Sequence, residues 1–195
     1  MTASKYADHE FTWPEIQHII RTNQLEVFAR SKAQIEKYHS FKDTLNSKGT
    51  TVFKHLVVNS LHWCTAEEVA GIPDSQVTIA QSGAGLFQCA SDLKIIRNDF
   101  PYYFADNITH LCVWSKRPIE SDPESDIGDI SEETRAVVET YIRDKFVDQL
   151  GIPRERLAWF RNWESLQSVK EISHIHVLIK DMSSEQLEQA LASPM

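Results

Sequence analysis

The chain has 195 residues, a formal net charge of −8 at neutral pH and three cysteines, Cys64, Cys89 and Cys112. This length is enough to bury a full core, so we expect one domain spanning 1–195. The cysteines are odd in number and lack metal-ligand spacing, which argues against a disulfide framework and against a zinc knuckle.

The sequence also gives an expectation about location. No leader of charged, apolar and small residues follows Met1, and no apolar run approaches membrane-spanning length. We therefore expect a soluble, cytoplasmic protein without a membrane partner. The sequence does not define its oligomeric state.

Charge is distributed unevenly along the chain. Residues 1–60 hold eight basic and six acidic side chains, a net charge of +2, which leaves −10 for the other 135 residues. A basic N-terminal surface on an acidic body is suited to docking RNA, because cationic side chains displace the counterions of phosphates. The candidates are Lys32, Lys37, Lys42 and Lys48. Scattered lysines on a solvated helix face explain the same pattern.

The first third of the chain predicts helices. After a loose leader over 1–11, we expect a helical part over 12–63. Thr12 and Glu15 form a capping box with Pro14 in the first turn, and a second helix begins at Ser31 and ends near Ser47. Beyond this part, Thr65 and Glu68 form another capping box.

The remaining body, 77–195, predicts a sheet with flanking helices. Alternating apolar residues indicate strands over Leu93–Arg97, Ile108–Ser115 and Ile172–Ile179. Helices are expected over Glu132–Phe146 and Glu185–Leu191. The sequence thus predicts an α+β fold with a mainly antiparallel central sheet.

Three histidines share the predicted sheet faces. Alternation puts His174 and His176 on one face of their strand, and His110 on one face of the Ile108–Ser115 strand. If the strands are neighbours, three imidazoles surround one cavity, which suits hydrogen bonding to a polar ligand or proton transfer near neutral pH. The alternative is ordinary hydrogen-bonded histidines in a mixed sheet. We expect no metal and no cofactor, since no carboxylate or thiolate stands at a fixed ligand spacing to these histidines.

An acidic segment lies between the second strand and the next helix. From Glu120 to Glu133 it contains seven carboxylates and no basic residue. Such a run is usually a solvated loop whose last members cap a helix. It also suits recognition of a guanidinium or ammonium group.

Several ordered segments carry a family resemblance. They are Thr12-Trp13-Pro14-Glu15-Ile16, Asn98-Asp99-Phe100-Pro101-Tyr102, Ile108 through Lys116, Trp159-Phe160-Arg161-Asn162-Trp163, and Ser168-Val169 through His174-Ile175-His176-Val177. Together they resemble the fungal N-acetylglucosamine-induced protein family. That family includes the arginine-containing cyclodipeptide synthases, which join two aminoacyl groups delivered on tRNA into a cyclo-arginine-Xaa diketopiperazine.

The resemblance implies roles for particular residues, with arginyl-tRNA and a second aminoacyl-tRNA as partners. His174 and His176 would transfer protons, Ser168 would carry or donate to the acyl group, and Asn162 would orient it or stabilise the oxyanion. Substrate binding would fall to Asp122, Asp129, Glu133, Asn98, Asp99, Tyr102, His110, Trp114 and Trp163. The synthases share two adjacent aspartates with a glutamate three residues beyond; here the nearest form is Asp129-Ile-Ser-Glu132-Glu133.

A second likeness is to the histidine-triad nucleotide hydrolases and transferases. An upstream Asn, a Ser-Val pair and His-x-His on a strand resemble that motif, and His176 would be the residue that attacks phosphorus. The third histidine position is Leu178. A non-catalytic protein that binds a sugar or another small metabolite is the remaining alternative.

Overall fold

A four-stranded antiparallel sheet forms the centre of the molecule. The computed structural model describes residues 6–195. Its strands are β1 (Leu93–Arg97), β2 (Ile108–Ser115), β3 (Leu157–Phe160) and β4 (Ser173–Lys180). They are ordered β1-β2-β4-β3, with every neighbouring pair antiparallel. The predicted α+β class is confirmed.

Helices cover both faces of this sheet. They are α1 (Trp13–Arg21), α2 (Lys32–Ser47), α3 (Val52–His55), α4 (Ala66–Val69), α5 (Glu132–Ile142) and α6 (Ser184–Ala192). Helices α3 and α5 continue as π-helical turns over Leu56–Ser60 and Arg143–Gln149. Short 3₁₀ turns occupy Leu25–Val27, Asp74–Gln76, Ala90–Asp92, Arg154–Arg156 and Glu164–Leu166.

The helices begin where side chains satisfy their first backbone N–H groups. The Glu15 carboxylate accepts a hydrogen bond from the Thr12 backbone N–H at 2.7 Å. Ser31 Oγ accepts one from the Gln34 N–H, and Thr65 and Glu68 bond reciprocally. Since the first N–H groups of a helix have no partner within it, these caps fix the start of each helix. The predicted starts are confirmed.

One face of the sheet forms the main apolar core with α5 and α6. Leu111, Val113, Ile175 and Val177 pack there, and none of the four is measurably exposed. Burial of this face fixes the register, because a slip of one residue would turn every one of these side chains to the opposite face.

The opposite face of the sheet carries the polar side chains. The register pairs Cys112 with His176 and Trp114 with His174. His110 lies two residues before Cys112 and therefore projects from the same face. The N-terminal helices cover this face, with α1 against one end and α3 against the other.

The start of the described chain is held in place. The Ala7 N–H donates to the Arg30 carbonyl at 2.9 Å, and Phe11 forms a parallel bridge with Phe104. Phe11 is 6% exposed. Ala7 and Phe11 of the expected loose leader are thus held against the body, whereas Tyr6 and residues 8–10 are exposed. Residues 1–5 lie outside the described part of the chain. Across 6–195, no helix has the length and apolar character needed to cross a membrane.

Candidate functional site

A small cavity opens on the polar face of the sheet. Its volume is about 120 Å³, well above the roughly 10–15 Å³ that one water molecule needs. Strands β2 and β4 supply Cys112, Trp114, His174 and His176, while α2 supplies Tyr38 and Phe41. The connecting segments add Arg30, Asn98, Asp99, Phe100, Tyr102, Asn162 and Ser168, and residues of α3 and β1 also line the cavity.

The structure brings His110 and His176 together beside this cavity. His110 Nε2 lies 2.9 Å from His176 Nδ1. His176 Nε2 lies 3.2 Å from Asn162 Nδ2, which also donates to the Tyr102 hydroxyl at 2.9 Å. A chain of polar groups therefore runs from β2 through β4 to the 98–104 segment.

The tautomers of the two rings follow from Asn98. Its Oδ1 accepts a hydrogen bond from the Phe100 N–H at 2.9 Å, so Nδ2 is the atom that faces His110 Nε2 at 3.3 Å. His110 Nε2 must then be the acceptor, and His176 Nδ1 carries the hydrogen that points to it. His176 Nε2 is left to accept from Asn162, and both imidazoles are neutral.

Burial keeps these imidazoles unprotonated. It lowers the pKa of His110 to about 3 and that of His174 to about 4. The pKa of His176 falls well below its ordinary value, first through burial and then through the neighbouring His174, His110 and Arg30. At neutral pH the three rings are hydrogen-bonding groups and weak bases.

Four buried polar atoms of this region have no hydrogen-bond partner among the described residues. Three belong to the cavity wall: Trp114 Nε1, Asn162 Oδ1 and His174 Nδ1. The fourth is His110 Nδ1. A buried polar atom without a partner costs roughly 1–3 kcal/mol, so this clustering indicates a place where a polar ligand or water bonds.

His174 and Trp114 form one wall of the cavity. Their rings stack with centroids 4.1 Å apart and planes at 30°. His174 also meets the edge of His176 at 4.9 Å. The expectation that His110, His174 and His176 gather on one side of the sheet is confirmed.

Three cations lie in the cavity wall or against its aromatic rings. The Arg30 guanidinium lies 5.0 Å from the Tyr38 ring centroid and 5.5 Å from that of Tyr102, and its Nε donates to the Phe100 carbonyl. Lys37 Nζ lies over Phe100 and Lys42 Nζ over Tyr38. Among residues 6–195, Arg30 forms no ion pair with a carboxylate. We call Arg30, Lys37, Lys42 and these three rings the basic mouth.

The predicted acidic residues lie elsewhere. Asp122 borders a separate shallow depression with Lys170. Asp129 accepts from Asn23 at 2.8 Å and from Arg135 at 3.0 Å. Glu133 sits in the first turn of α5, where its own backbone N–H and the Ser131 side chain hold its pKa below the usual range. Among the acidic substrate candidates, Asp99 lines the cavity.

The other candidates divide between the cavity and the surface. Ser168, Asn98 and Tyr102 line the cavity. Trp163 instead packs against the apolar residues around α1, and its Nε1–H donates to Asn23 Oδ1. Lys32 and Lys48 are exposed at the two ends of α2.

Sequence reasoning missed Arg30, Phe100 and Cys112. Arg30 lies in an irregular segment, where no helix or strand periodicity in the sequence predicts which way its side chain points. Cys112 had a signal, since it follows His110 by two residues on one face of a strand. Its Sγ lies 3.6 Å from His176 Nδ1, so the expectation that no thiolate stands at ligand spacing to the histidines is wrong.

Comparison with known proteins identifies relatives along most of the chain. "N-acetylglucosamine-induced protein 1" of Candida albicans is 40% identical over 186 residues, covering 93% of this chain and 73% of the relative. "Uncharacterized protein YPL067C" of Saccharomyces cerevisiae is 28% identical over 169 residues, covering 86% and 77%.

A solved structure and a family model extend these findings. The solved structure is described as "Crystal Structure of HTC1"; it superposes with a TM-score of 0.69 at 26% identity and covers 93% of this chain and 96% of that one. The family model described as "Protein of unknown function (DUF3605)" matches residues 12–180, and the match to "N-acetylglucosamine-induced protein 1" supports the fungal family that the sequence resembles. The chain therefore belongs to the DUF3605 family.

Proposed function

We propose that this protein is an aminoacyl-tRNA-dependent transferase that forms a cyclo-arginine-Xaa dipeptide in the cavity beneath the basic mouth. The observation that carries the proposal is the combination of unpaired cations and aromatic rings over a cavity with unpaired polar atoms. The cations suit the phosphates of a tRNA 3′ end, and the rings suit its bases. The sequence resemblance to the cyclodipeptide synthases supplies the reaction.

The bonds that form and break in this reaction belong to the two aminoacyl esters and not to the protein. The amine of one aminoacyl ester attacks the carbonyl carbon of the other; a C–N bond forms, the C–O bond to the ribose breaks, and the amine proton ends on the ribose oxygen. A second such step closes the ring. The ester is already activated, so most of the catalysis comes from positioning two esters and from hydrogen bonds to the oxyanion.

His174 is the histidine best suited to meet the reacting groups. Its Nδ1 has no partner among the described residues and its ring lines the cavity. Both nitrogens of His176 are engaged, one by His110 and one by Asn162. In this proposal His174 accepts a proton or a hydrogen bond from the attacking amine, and His176 holds Asn162 in position.

Recognition of the arginine side chain falls to Asp99 in this proposal. Asp99 lines the cavity, whereas Asp129 is already paired with Arg135. An exposed carboxylate at the rim pairs with a guanidinium in a bidentate fork and leaves the second amino acid to the aromatic wall.

The test is a product assay. The protein is incubated with tRNA, ATP, arginine, a second amino acid and their synthetases, and the products are analysed by mass spectrometry. We expect a cyclic dipeptide that contains arginine, and its loss in His174→Ala. Failure of the folded wild-type protein to form any cyclic dipeptide with all twenty partners would overturn the proposal.

A second candidate, a protein that binds a small metabolite without turnover, is favoured by one observation. Histidines with pKa values of about 3 and about 4 are weak bases but good hydrogen-bonding partners. The name of the Candida relative makes N-acetylglucosamine the first probe. Saturable binding without turnover that persists in His174→Ala would support this candidate, and absence of binding would remove it.

A further inference from the structure

Three ligand atoms of the kind that bind transition metals meet on two neighbouring strands. One ring nitrogen of His110, one of His176 and the Sγ of Cys112 all lie within 4.8 Å of one another. Their closest separations are 2.9 Å between the two nitrogens and 3.6 Å between Sγ and Nδ1. Zn–N bonds of about 2.0–2.1 Å and Zn–S bonds of about 2.3 Å require ligand atoms roughly 3–4 Å apart.

We propose that His110, Cys112 and His176 form a site for a zinc-class transition-metal ion whose open coordination position faces the cavity. The donor set is two imidazoles and one thiol, without a carboxylate. Such ligands favour Zn²⁺ and related ions over Ca²⁺ or Mg²⁺, which prefer oxygen. The proposal does not rest on the reaction proposed above.

The backbone holds the three ligands in a fixed arrangement. Cys112 and His176 are direct register partners across β2 and β4, and His110 precedes Cys112 by two residues. All three are at least 93% buried. The Phe160 ring stacks on His176 at 4.7 Å with planes 16° apart. Strand register and ring stacking thus fix the places of the three ligands before any ion binds.

The protonation states of the three side chains are compatible with binding an ion. Both histidines are neutral at neutral pH, so each has one nitrogen without a proton. In His110 that nitrogen is Nε2, while the hydrogen of His176 must move from Nδ1 to Nε2 before Nδ1 can bind the ion. Burial holds the pKa of the Cys112 thiol well above its usual range, so binding releases its proton. Because Arg30 already adds positive charge nearby, the thiolate is the group that balances the ion.

Asn162 provides the outer hydrogen bond that metal-bound histidines usually have. When His176 Nδ1 binds the ion, its hydrogen moves to Nε2, which must then donate. In the structure, Asn162 Oδ1 has no hydrogen-bond partner. Rotation of the Asn162 amide would let Oδ1 accept from both His176 Nε2–H and the Tyr102 hydroxyl. The same rotation leaves Nδ2 free to donate to a ligand.

The open position distinguishes this arrangement from a closed structural site. Three protein ligands leave one position of a tetrahedral ion free. Cys112 and His176 line the cavity, so that position faces whatever the cavity binds. An ion there polarises a carbonyl or phosphoryl oxygen of the bound ligand.

The test measures binding of Zn²⁺ and Co²⁺ to the metal-free protein, by elemental analysis after gel filtration and by absorption spectroscopy. We expect one equivalent of ion, release of one proton, and the near-ultraviolet charge-transfer band of a Co²⁺–thiolate bond. Cys112→Ser should remove the band and weaken binding at least 100-fold. Cys64→Ser, a matched change of a cysteine outside the cluster, should leave both unchanged.

Two results would overturn the proposal. One is wild-type protein that binds less than a tenth of an equivalent or shows no thiolate band with Co²⁺. The other is a band that persists in Cys112→Ser or disappears in Cys64→Ser. If Cys112→Ser does not fold, as judged by circular dichroism, His110→Gln replaces it, and retention of full affinity in that variant overturns the site.

Discussion

His176 Nδ1 and His110 Nε2 lie 2.9 Å apart across the β4–β2 pair, and no carboxylate in residues 6–195 lies within ion-pair distance of either ring. A buried histidine normally relies on an acid or a backbone carbonyl to fix its tautomer. Here two histidines and two asparagines fix one another. This makes the polar face of the sheet sensitive to protonation and to the loss of any one member.

The first prediction concerns stability at mildly acidic pH. The three histidines have lower pKa values when folded than the usual value near 6.5, so the unfolded chain binds more protons. The free energy of unfolding therefore has its full value above pH 6.5. It decreases as the pH falls toward the pKa values of the folded state. Each histidine contributes a loss that approaches about 1.4 kcal/mol per pH unit.

Urea unfolding at pH 7.5, 6.0 and 5.0 measures this effect. His174→Gln should reduce the dependence of unfolding free energy on pH, because it removes one of the three buried histidines. His39→Gln, which changes an exposed histidine in α2, should leave the dependence unchanged. A wild-type free energy of unfolding that is flat between pH 7 and pH 5 would contradict the buried neutral network.

The second prediction concerns Asn162. Asn162→Ala removes the hydrogen bonds to Tyr102 and His176 within a buried cluster. We expect a loss of about 1–3 kcal/mol in the free energy of unfolding at pH 7.5. Asn46→Ala, on the exposed side of α2, should change it by less than about 0.5 kcal/mol. Equal effects of the two variants would show that the network does not stabilise the fold.

The third prediction separates Asp99 from Asp129. Asp129→Asn weakens the contacts to Arg135 and Asn23, so it should lower stability and leave amino-acid selection intact. Asp99→Asn should leave stability unchanged and lower the yield of arginine-containing product at least tenfold relative to other cyclic products. If Asp129→Asn instead lowered the yield of arginine-containing product and Asp99→Asn did not, the acidic segment would be the part that recognises arginine.

The fourth prediction concerns the basic mouth. Lys37→Glu combined with Lys42→Glu should weaken tRNA binding at least tenfold. The slope of log affinity against log salt should decrease in magnitude by about 2, since two phosphate contacts are lost. Lys170→Glu combined with Lys180→Glu carries the same change in charge outside the mouth and should have little effect. Similar losses in both double variants would indicate binding through net charge alone.

Local patterns predicted the elements that position the site. Alternation of apolar and polar residues over Ile172–Ile179 identified the face that carries His174 and His176, because strand geometry has a strict period of two. Capping pairs such as Thr12 with Glu15 marked helix starts, because the first turn of a helix must find outside acceptors. Both patterns involve residues only a few positions apart, so a single sequence is enough to recognise them.

Contacts between distant residues were not predictable in this way. Asp129 is paired with Asn23, 106 positions earlier, which removes it from the site that its acidic neighbours suggested. Arg30 reaches the cavity through its bond to Phe100, 70 positions later. Neither segment has a period that gives side-chain direction, so only the folded chain reveals which charges remain unpaired.

The most direct measurement uses isothermal titration calorimetry to determine the equilibrium binding of a non-hydrolysable arginyl-CCA trinucleotide. The account predicts saturable binding with one site per chain, weakened at least tenfold in Arg30→Ala and retained in Lys170→Glu. Absence of saturable binding to folded wild-type protein, or binding that Arg30→Ala does not change, would contradict a ligand site beneath the basic mouth.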